Sequence, residues 1–334
     1  MAKTVVGLEI TEESLRAVEL TRGRRPVLVT AGEVPLPPGA ARDSEVLDPD
    51  VIAMAVGQLW AQARIKAKEV VVGVANRRIL VREHSTPAIR PDLMRAALPF
   101  DVQDLLPVPP EQAVLDFYPI SESDGQVHGL LVAAVSESIE TIITALERAK
   151  VHTAAVDFVP FGLARVAKVV APPEETVAVI AIDDHTTNLV VAQDGVPRFA
   201  RIIPLDLGLA SARADKALAA DPSPEQELPA ARRALDFTPQ EVTTPAVADL
   251  IERIRNTLSF HASRPGAVAV STIFLTGPGQ DAPGLLPLAS SRLRAPVFTI
   301  DAGNVVALGK NAPALGSLAQ NLVTTLGVLL GEER

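Results

Sequence analysis

Two stretches decide the fold, "VVGLEITEESLRAVEL" (residues 5–20) and "VAVIAIDDHTTNLVVAQDG" (residues 177–195). Each has an apolar run, a short polar turn and a second apolar run, which is the pattern of a β-hairpin. Residues 9–14 align without gaps with residues 181–186, and each stretch opens one half of the chain. This internal repeat predicts a duplicated lobe, with the two turns facing each other across a cleft.

Composition places the chain among α/β proteins and argues against one kind of partner. The 334 residues suffice for about two domains, and 48% hydrophobic with 21% charged residues excludes a disordered or fibrous chain. Aromatic residues make up only 3%, so the core must be built from Ala, Val, Leu and Ile. Alternating strand and helix patterns then predict an α/β fold. The net charge of −9 argues against nucleic acid, because phosphate contacts need basic residues.

Cysteine content and hydropathy bear on the compartment. The chain has no cysteine, which excludes disulfides, thiol nucleophiles and thiolate metal sites and fits a reducing cytoplasm. The N-terminal "MAKTVVGLEI" leads directly into a strand and lacks the apolar run of a signal peptide. No segment approaches the roughly 18–20 uninterrupted apolar residues of a membrane span. We therefore expect a soluble, cytoplasmic protein.

The first half of the chain predicts a β-β-β-α-β lobe that is interrupted by an insertion. A third strand follows the first hairpin, and a helix begins after an N-cap at Asp48 or Asp50. The nearly all-apolar "KEVVVGVAN" (residues 68–76) predicts a strand buried on both faces. Residues 83–155 contain a helix, a proline-rich turn, two strands and a second helix, which indicates a compact inserted α+β module.

The second half contains one strong helix and one glycine-containing loop. "TPAVADLIERIRNTLSFHAS" (residues 244–263) has Thr244 before Pro245 at the first helical position, where the missing N–H costs nothing. Its predicted apolar stripe comprises Val247, Leu250, Ile251, Ile254 and Leu258. Further on, "TIFLTGPGQD" (residues 272–281) predicts a strand that runs into a glycine loop.

An ordered set of segments resembles the PilM family, the actin-like proteins of type IV pilus assembly that are related to FtsA. The segments are "GLEITEESLRAVEL", "GEVPLPPGA", "LPFDVQDLLPVPPEQAVLDF", "HTTNLVVAQDGVPRFARIIPL", "IERIRNTLSFHAS" and "FLTGPGQDAPGLLP", in the family's order and over nearly the whole chain. The resemblance implies an actin-like duplicated two-lobe fold with an FtsA-like inserted α+β subdomain. It also implies ATP and Mg²⁺ in the cleft between the lobes.

The resemblance divides the chain into four subdomains. The first lobe (1A) is expected from residues 1–82, 156–172 and 317–334, and the FtsA-like insertion (1C) from residues 83–155. The second lobe (2A) is expected from residues 173–212 and 264–316, and a small subdomain (2B) from residues 213–263.

The first turn departs from the phosphate loop of the superfamily, which reads Asp-x-Gly followed by small polar residues. Glu9 stands at the Asp position, Thr11 stands at the Gly position, and only Ser14 keeps the small polar type. The Gly normally lets backbone N–H groups approach a phosphate closely. The candidate nucleotide contacts of this turn are Glu9, Thr11, Glu12, Glu13, Ser14 and Arg16.

The second turn departs further. Ala181 stands at the position of a metal-linked Asp, and Asp183 stands at the position of a Gly. The candidate nucleotide contacts here are Asp183, Asp184, Thr186, Thr187 and Asn188, of which the last three match the family. Carboxylates near phosphate oxygens weaken nucleotide binding by repulsion. Three readings stay open: degenerate or absent nucleotide binding, MgATP binding with Glu9 and Asp183 as magnesium ligands, or acids that simply face solvent.

The candidate adenosine contacts lie in the last third of the chain. Gly277 and Gly279 follow a strand and could admit a ring and ribose, although Pro278 replaces a common third glycine and removes a donor. Arg255 and Ser259 are candidate ribose or phosphate neighbours, or part of an ordinary solvated helix face. No Walker A, His-Glu-x-x-His or Gly-x-Ser-x-Gly pattern occurs, and no catalytic residue is predicted.

The resemblance also implies a partner, PilN, a single-span inner-membrane protein whose cytoplasmic tail docks between the first lobe and the insertion. Candidate partner-binding residues are Phe100, Leu105, Leu106, Val108 and Phe117, which alternatively form the module's own core. The expected function is a cytoplasmic adaptor that is recruited to the inner face of the membrane and has at most weak ATPase activity. Other pilus proteins and self-association are further expected contacts. The alternatives are an active ATPase or kinase of the superfamily, or the cytoplasmic part of a type II secretion protein.

Overall fold

The structure is a computed structural model that describes residues 4–23, 25–208, 244–310 and 312–331. Its strands are β1 (Thr4–Ile10), β2 (Ser14–Thr21), β3 (Val27–Pro35), β4 (Ala41–Arg42), β5 (Glu45–Val46), β6 (Glu69–Val74), β7 (Leu80–Pro87), β8 (Ala113–Ser123), β9 (Gln126–Val135), β10 (His152–Phe158), β11 (Thr176–Ile182), β12 (Thr186–Gln193), β13 (Val196–Pro204), β14 (Thr272–Thr276), β15 (Val297–Thr299) and β16 (Ala307–Leu308). Its helices are α1 (Pro49–Ala63), α2 (Pro91–Asp101), α3 (Ser136–Arg148), α4 (Val159–Val170), α5 (Pro245–Ala262), α6 (Leu285–Arg292), α7 (Ala302–Val305), α8 (Leu318–Asn321) and α9 (Val323–Gly327).

The first sheet has six strands in the order β10-β6-β1-β2-β3-β16. Helix α1 covers one face of it and begins at Asp48, whose carboxylate accepts from the N–H groups of Asp50 (3.0 Å) and Val51 (3.1 Å). The N-cap is therefore Asp48 and not Asp50. Trp60 of α1 is buried and donates to the Ala67 carbonyl at 2.8 Å, so the single tryptophan anchors the helix on the sheet.

The second sheet, β13-β12-β11-β14-β15, repeats the opening of the first. Strands β11 and β12 have 7 and 8 residues, as β1 and β2 have. Each hairpin closes with the same backbone hydrogen bond, from Thr11 N to Ser14 O and from Asp183 N to Thr186 O, both at 2.9 Å. Cross-strand pairing matches as well, because Glu9 faces Arg16 where Ala181 faces Asn188. The predicted duplication and the α/β class are confirmed.

A third sheet, β7-β9-β8, carries helix α2 and forms what we call the module sheet. The insertion was predicted at residues 83–155, but its first strand, β7, begins three residues earlier at Leu80. Strand β10, where the predicted insertion ends, pairs with β6 and so belongs to the first sheet. Helix α3 packs on α1 in the core of the first lobe. Strand β16, from the predicted second lobe, pairs with β3. The exact subdomain boundaries stay predictions.

The two large sheets share one core through helices α4 and α9. This core contains Val18 and Val71 from the first sheet and Val179 and Val190 from the second. The two helices cross where Gly162 meets Gly327, since a Cβ atom at Gly162 would lie 2.9 Å from the carbonyl carbon of Gly327. Only glycine permits such a close approach of two backbones.

Helix α5 follows its sequence prediction closely. The Thr244 hydroxyl accepts from Val247 N at 3.3 Å and caps the helix, with Pro245 at its first position. The predicted stripe is buried except for Leu258, which is half-buried, and Thr257 and His261 are buried in addition. Residues 213–243 of the predicted small subdomain lie outside the described residues. In the described part of the chain, no helix is long and apolar enough to cross a membrane.

Candidate functional site

The two hairpin turns touch each other. The His185 Nε2 atom lies 3.2 Å from Glu13 Oε1 and 3.8 Å from Glu12 Oε1, so the tip of the second turn contacts the tip of the first. The Glu12 carboxylate also accepts from the Asp43 N–H at 2.8 Å. The acids predicted for these turns therefore face the opposite turn and its surroundings, and do not simply project into solvent.

Arg16 forms a buried salt bridge between the lobes. Its guanidinium donates through Nε to Glu33 Oε1 at 2.9 Å and through Nη1 to Asp183 Oδ1 at 2.7 Å, and the residue is 1% exposed. Burial alone would lower the pKa of Arg16, but the carboxylates of Asp183 and Glu33 outweigh burial and raise it. Arg16 is thus permanently charged and already paired on both sides.

Glu9 is buried and points to the C-terminal helix. Its Oε2 atom accepts from the hydroxyls of Thr324 (2.5 Å) and Thr325 (3.0 Å) in α9. Burial, and next the negative charge of Asp183, raise the pKa of Glu9 to about 7. A carboxyl group with this pKa is only half ionised at neutral pH.

Glu33 completes the network, and sequence reasoning missed it. It accepts from Ser14 Oγ at 2.6 Å and from Asn321 Nδ2 at 3.0 Å, in addition to Arg16. Burial would raise the pKa of Glu33, but Arg16 and these hydrogen bonds outweigh it and lower the pKa. The signal was available in the pairing of β2 with β3, which places Glu33 directly opposite Arg16.

The small polar residues of both turns support the turns themselves. The Thr11 hydroxyl donates to Ser14 O at 3.1 Å and accepts from Ser14 N at 3.0 Å, which closes the first turn. Thr186, Thr187 and Asn188 are buried in the second hairpin. Their predicted contacts with a nucleotide stay predictions.

The structure groups different metal-ligating atoms from those the sequence suggested. Glu9 Oε2 is engaged by two threonines and Asp183 Oδ1 by Arg16, whereas Glu13, Asp184 and His185 each offer a ligand atom within 4.8 Å of the others. Burial, and next the charge of Asp183, raise the pKa of Glu13. Two carboxylates and an imidazole are ligands that suit a divalent cation.

The glycine loop packs directly against the second hairpin. Gly277 has φ +86°, and a Cβ atom there would lie 2.6 Å from the Ile182 carbonyl oxygen. A Cβ atom at Gly279 would lie 2.3 Å from Ile182 Cγ2. The loop is also tied to α8, because Gly277 N donates to the Gln320 carbonyl at 3.2 Å. Packing therefore requires both glycines, and a contact with adenosine stays a prediction.

Arg255 and Ser259 are not brought together with the turns. They line a separate cavity of about 440 Å³ at the beginning of β14, and no residue of either turn or of the glycine loop is among the described residues around it. Arg255 pairs with Glu252 at 2.5 Å on the exposed side of α5. This geometry matches the solvated helix face that the sequence left as an alternative.

The five predicted partner-binding residues lie around α2 and the module core. Leu105, Leu106 and Phe117 pack against Leu98 and its neighbours in the small core of the module. Phe100 is 77% exposed on α2, and Val108 is half-buried. None of the five is among the described residues that line the space between the first sheet and the module sheet.

That space is a narrow apolar groove of about 120 Å³, which we call the module groove. Its lining residues are Val74, Ile79, Val114, Asp116, Val132, Ala134, Ile139, Val156, Asp157, Phe158 and Phe161. The sequence signal was the alternation along β8, which turns Val114 and Asp116 to the groove and Leu115 and Phe117 to the other face.

The residues around the turns do not fit a triphosphate. Glu9, Glu13, Asp183 and Asp184 bring carboxylates to the place where the family implies phosphates, and Arg16 is already neutralised by two acids. A carboxylate about 5 Å from a phosphate oxygen costs roughly 1–3 kcal/mol between the dielectric constants of water and of a protein surface. Several such terms together weaken the binding of a polyphosphate unless a cation lies between the charges.

Two duplicated lobes that open with facing hairpins and share a core at crossed helices place the molecule in the class of actin-like folds. The chain matches the family model "Type IV pilus assembly protein PilM" over residues 7–331 and belongs to that family. The predicted family and fold class are confirmed.

Solved structures share this fold. A chain of the "PilM-PilN type IV pilus biogenesis complex" superposes with a TM-score of 0.80 at 24% identity, covering 99% of both chains. The ethanolamine utilization protein EutJ from Carboxydothermus hydrogenoformans gives 0.54 at 13% identity, with 99% of this chain and 91% of that chain covered. A Bacteroides thetaiotaomicron protein with an actin-like ATPase fold and unknown function gives 0.50 at 8% identity, with 98% and 96% covered.

Proposed function

We propose that this protein is a cytoplasmic adaptor of type IV pilus assembly that binds the cytoplasmic tail of a PilN-like inner-membrane protein in the module groove. The observation that carries this proposal is the groove itself, an apolar slot between two sheets. Family membership and the similarity to a chain of a PilM-PilN complex support it. Binding such a tail would hold the protein at the inner face of the membrane.

The walls of the groove suit an extended peptide. In the described part of the chain, β8 ends the module sheet and β10 ends the first sheet, and these two edge strands flank the groove. Edge strands carry unpaired N–H and C=O groups that an added strand can satisfy. Val114, which is 48% exposed, supplies apolar surface, and Asp116 adds a negative charge. The expected ligand is therefore an extended segment with apolar residues and a basic residue.

Val114→Asp is expected to weaken tail binding at least tenfold, because it places a charge in the apolar wall of the groove. Fluorescence anisotropy with a labelled tail peptide of the organism's own PilN-like protein measures this. Val29→Asp is the matched control, since Val29 is a strand valine that is 36% exposed on β3 and does not line the groove. Equal affinities of the two variants would contradict the groove assignment, and absence of binding by the wild type would contradict the adaptor.

The same proposal includes a degenerate nucleotide site. The Arg16–Asp183 bridge and the Glu13–His185 contact already join the two turns, so the lobes are held together without a bridging phosphate. The carboxylates around the bridge disfavour a polyphosphate. This supports an adaptor over an active ATPase or kinase.

Glu13→Ser is expected to tighten MgATP binding about tenfold relative to the wild type. The substitution removes a carboxylate near Asp183 and Asp184 and so reduces the negative charge that repels the phosphates. Glu12→Ser should have a smaller effect, since the Glu12 carboxylate is held by the backbone of Asp43. Thermal unfolding at increasing MgATP concentration reports both. A large shift of the wild type together with phosphate release would overturn the degenerate site in favour of an ATPase.

A further inference from the structure

A polar cavity of about 470 Å³ lies on the other side of the module, between the module sheet and the second sheet. Strands β7, β8 and β9 form one wall, and the ends of β11, β12 and β13 with the segment after α5 form the other. The described residues around it include none from the two turns, the glycine loop or the module groove. It is therefore separate from both sites discussed above.

Buried polar atoms in this cavity lack hydrogen-bond partners. Thr176 is 4% exposed and His261 is 3% exposed, and Thr176 Oγ1 and His261 Nδ1 make no hydrogen bond within the described residues. His84 Nε2 and Arg264 Nη1 belong to residues that line the same cavity and are also without a partner within the described residues. Buried polar atoms are normally satisfied, so four such atoms around one cavity mark it as a candidate site for a polar molecule.

The hydrogen bonding of His261 defines what this molecule must offer. Its Nε2 atom lies 3.3 Å from the Val268 carbonyl oxygen, which can only accept, so Nε2 carries the proton. Burial lowers the pKa of His261 and keeps the ring neutral. Nδ1 is then an acceptor, and it requires an O–H or N–H group from the bound molecule.

The charge of the cavity is positive in a chain whose net charge is −9. Arg198 and Arg264 line it, and Glu83 is the only carboxylate among the described lining residues. Glu83 pairs with Arg264 through Nη2, which leaves Nη1 unused. The Arg264 guanidinium is held over the Phe199 ring at 5.4 Å, and Arg198 Nη2 donates to Gln193 Oε1 at 3.3 Å. Two guanidinium groups against one carboxylate leave a net positive charge, which favours a phosphate whose oxygens accept several N–H groups at once.

From this geometry we infer that the cavity binds a small phosphorylated molecule that carries free hydroxyl groups, such as a sugar phosphate. The phosphate lies between Arg198 and Arg264, and a hydroxyl donates to His261 Nδ1. The volume lies within the range of about 300–1,000 Å³ that is usual for small-molecule sites. Such a ligand would contact the module and the second lobe simultaneously.

Glucose 6-phosphate, inorganic phosphate, citrate and glucose are the probes, titrated into the full chain at constant ionic strength and followed by calorimetry and thermal unfolding. Glucose 6-phosphate is expected to bind more tightly than inorganic phosphate, and glucose is expected not to bind. A tricarboxylate that binds more tightly than glucose 6-phosphate would overturn the phosphate assignment. Absence of any shift with both phosphates would overturn the site, and water would then satisfy the buried atoms.

Arg198→Gln is expected to weaken glucose 6-phosphate binding at least tenfold. Arg201→Gln is the control, because Arg201 is an exposed arginine of the same strand that does not line the cavity. Thr176→Val, which keeps the shape of the side chain and removes its hydroxyl, should weaken binding without abolishing it. Equal binding by the wild type, Arg198→Gln and Arg201→Gln would contradict the site.

Discussion

Replacing Arg16 with methionine is expected to lower the free energy of unfolding by about 3–5 kcal/mol at pH 7. The substitution removes the only group that donates to both Glu33 and Asp183 in the described network, and it leaves the buried Asp183 and the half-buried Glu33 without their cation. A buried ion pair that loses one partner is costly because the remaining charge is neither solvated nor compensated. Urea denaturation of the wild type and the variant, followed by circular dichroism, measures the difference.

Two further variants separate this bridge from ordinary surface pairing. Arg253→Met removes the exposed pair with Asp249 at 2.9 Å on α5 and is expected to cost about 0.5 kcal/mol or less. Adding Asp183→Asn to Arg16→Met removes one of the stranded charges and should restore about 1–2 kcal/mol. A cost for Arg16→Met no greater than that for Arg253→Met would show that the bridge does not hold the lobes.

Local sequence patterns were sufficient to predict the two hairpins and helix α5. Alternation, capping at Thr244 and the repeat of residues 9–14 in 181–186 are all properties of short segments, and the structure follows them. The Arg16–Asp183 bridge joins residues 167 positions apart, so no local pattern could reveal it. The sequence showed that the acids would repel a phosphate, but it did not show that Arg16 pairs with two acids of this network.

Periodicity shows which side of a helix or strand is buried, but not what that side contacts. The helical pattern of α5 correctly predicted which of its faces is buried. It did not indicate that Arg255 would lie near the beginning of β14, away from the two turns. In β8, alternation separates two faces. Phe117, which was predicted to contact the partner, packs against the module core on the face away from the module groove, and its contact with a partner stays a prediction. Hydrophobicity alone does not distinguish a core from a groove, because both need apolar side chains.

The Glu9→Gln variant is expected to be more stable than the wild type at pH 8, by about 3 kcal/mol. The pKa of Glu9 rises from an ordinary value of 4.5 to about 7 in the folded protein. The folded state therefore holds a proton that the unfolded state has released between these two values. Over that window the wild type loses stability as pH rises, and glutamine avoids the loss because it does not ionise while still accepting from Thr324 and Thr325.

Urea denaturation at pH 5 and pH 8 tests this sign, and Glu33→Gln is the matched control from the same network. The difference between Glu9→Gln and the wild type should shrink to about 1 kcal/mol or less at pH 5. Glu33 has a lowered pKa, so its ionised form stabilises the fold and the stability is lost only as pH falls through that lowered value. Glu33→Gln should therefore be destabilising at both pH 5 and pH 8. If Glu9→Gln were as destabilising as Glu33→Gln at pH 8, Glu9 would have to be ionised and favourably paired. The network would then carry one more negative charge than we infer.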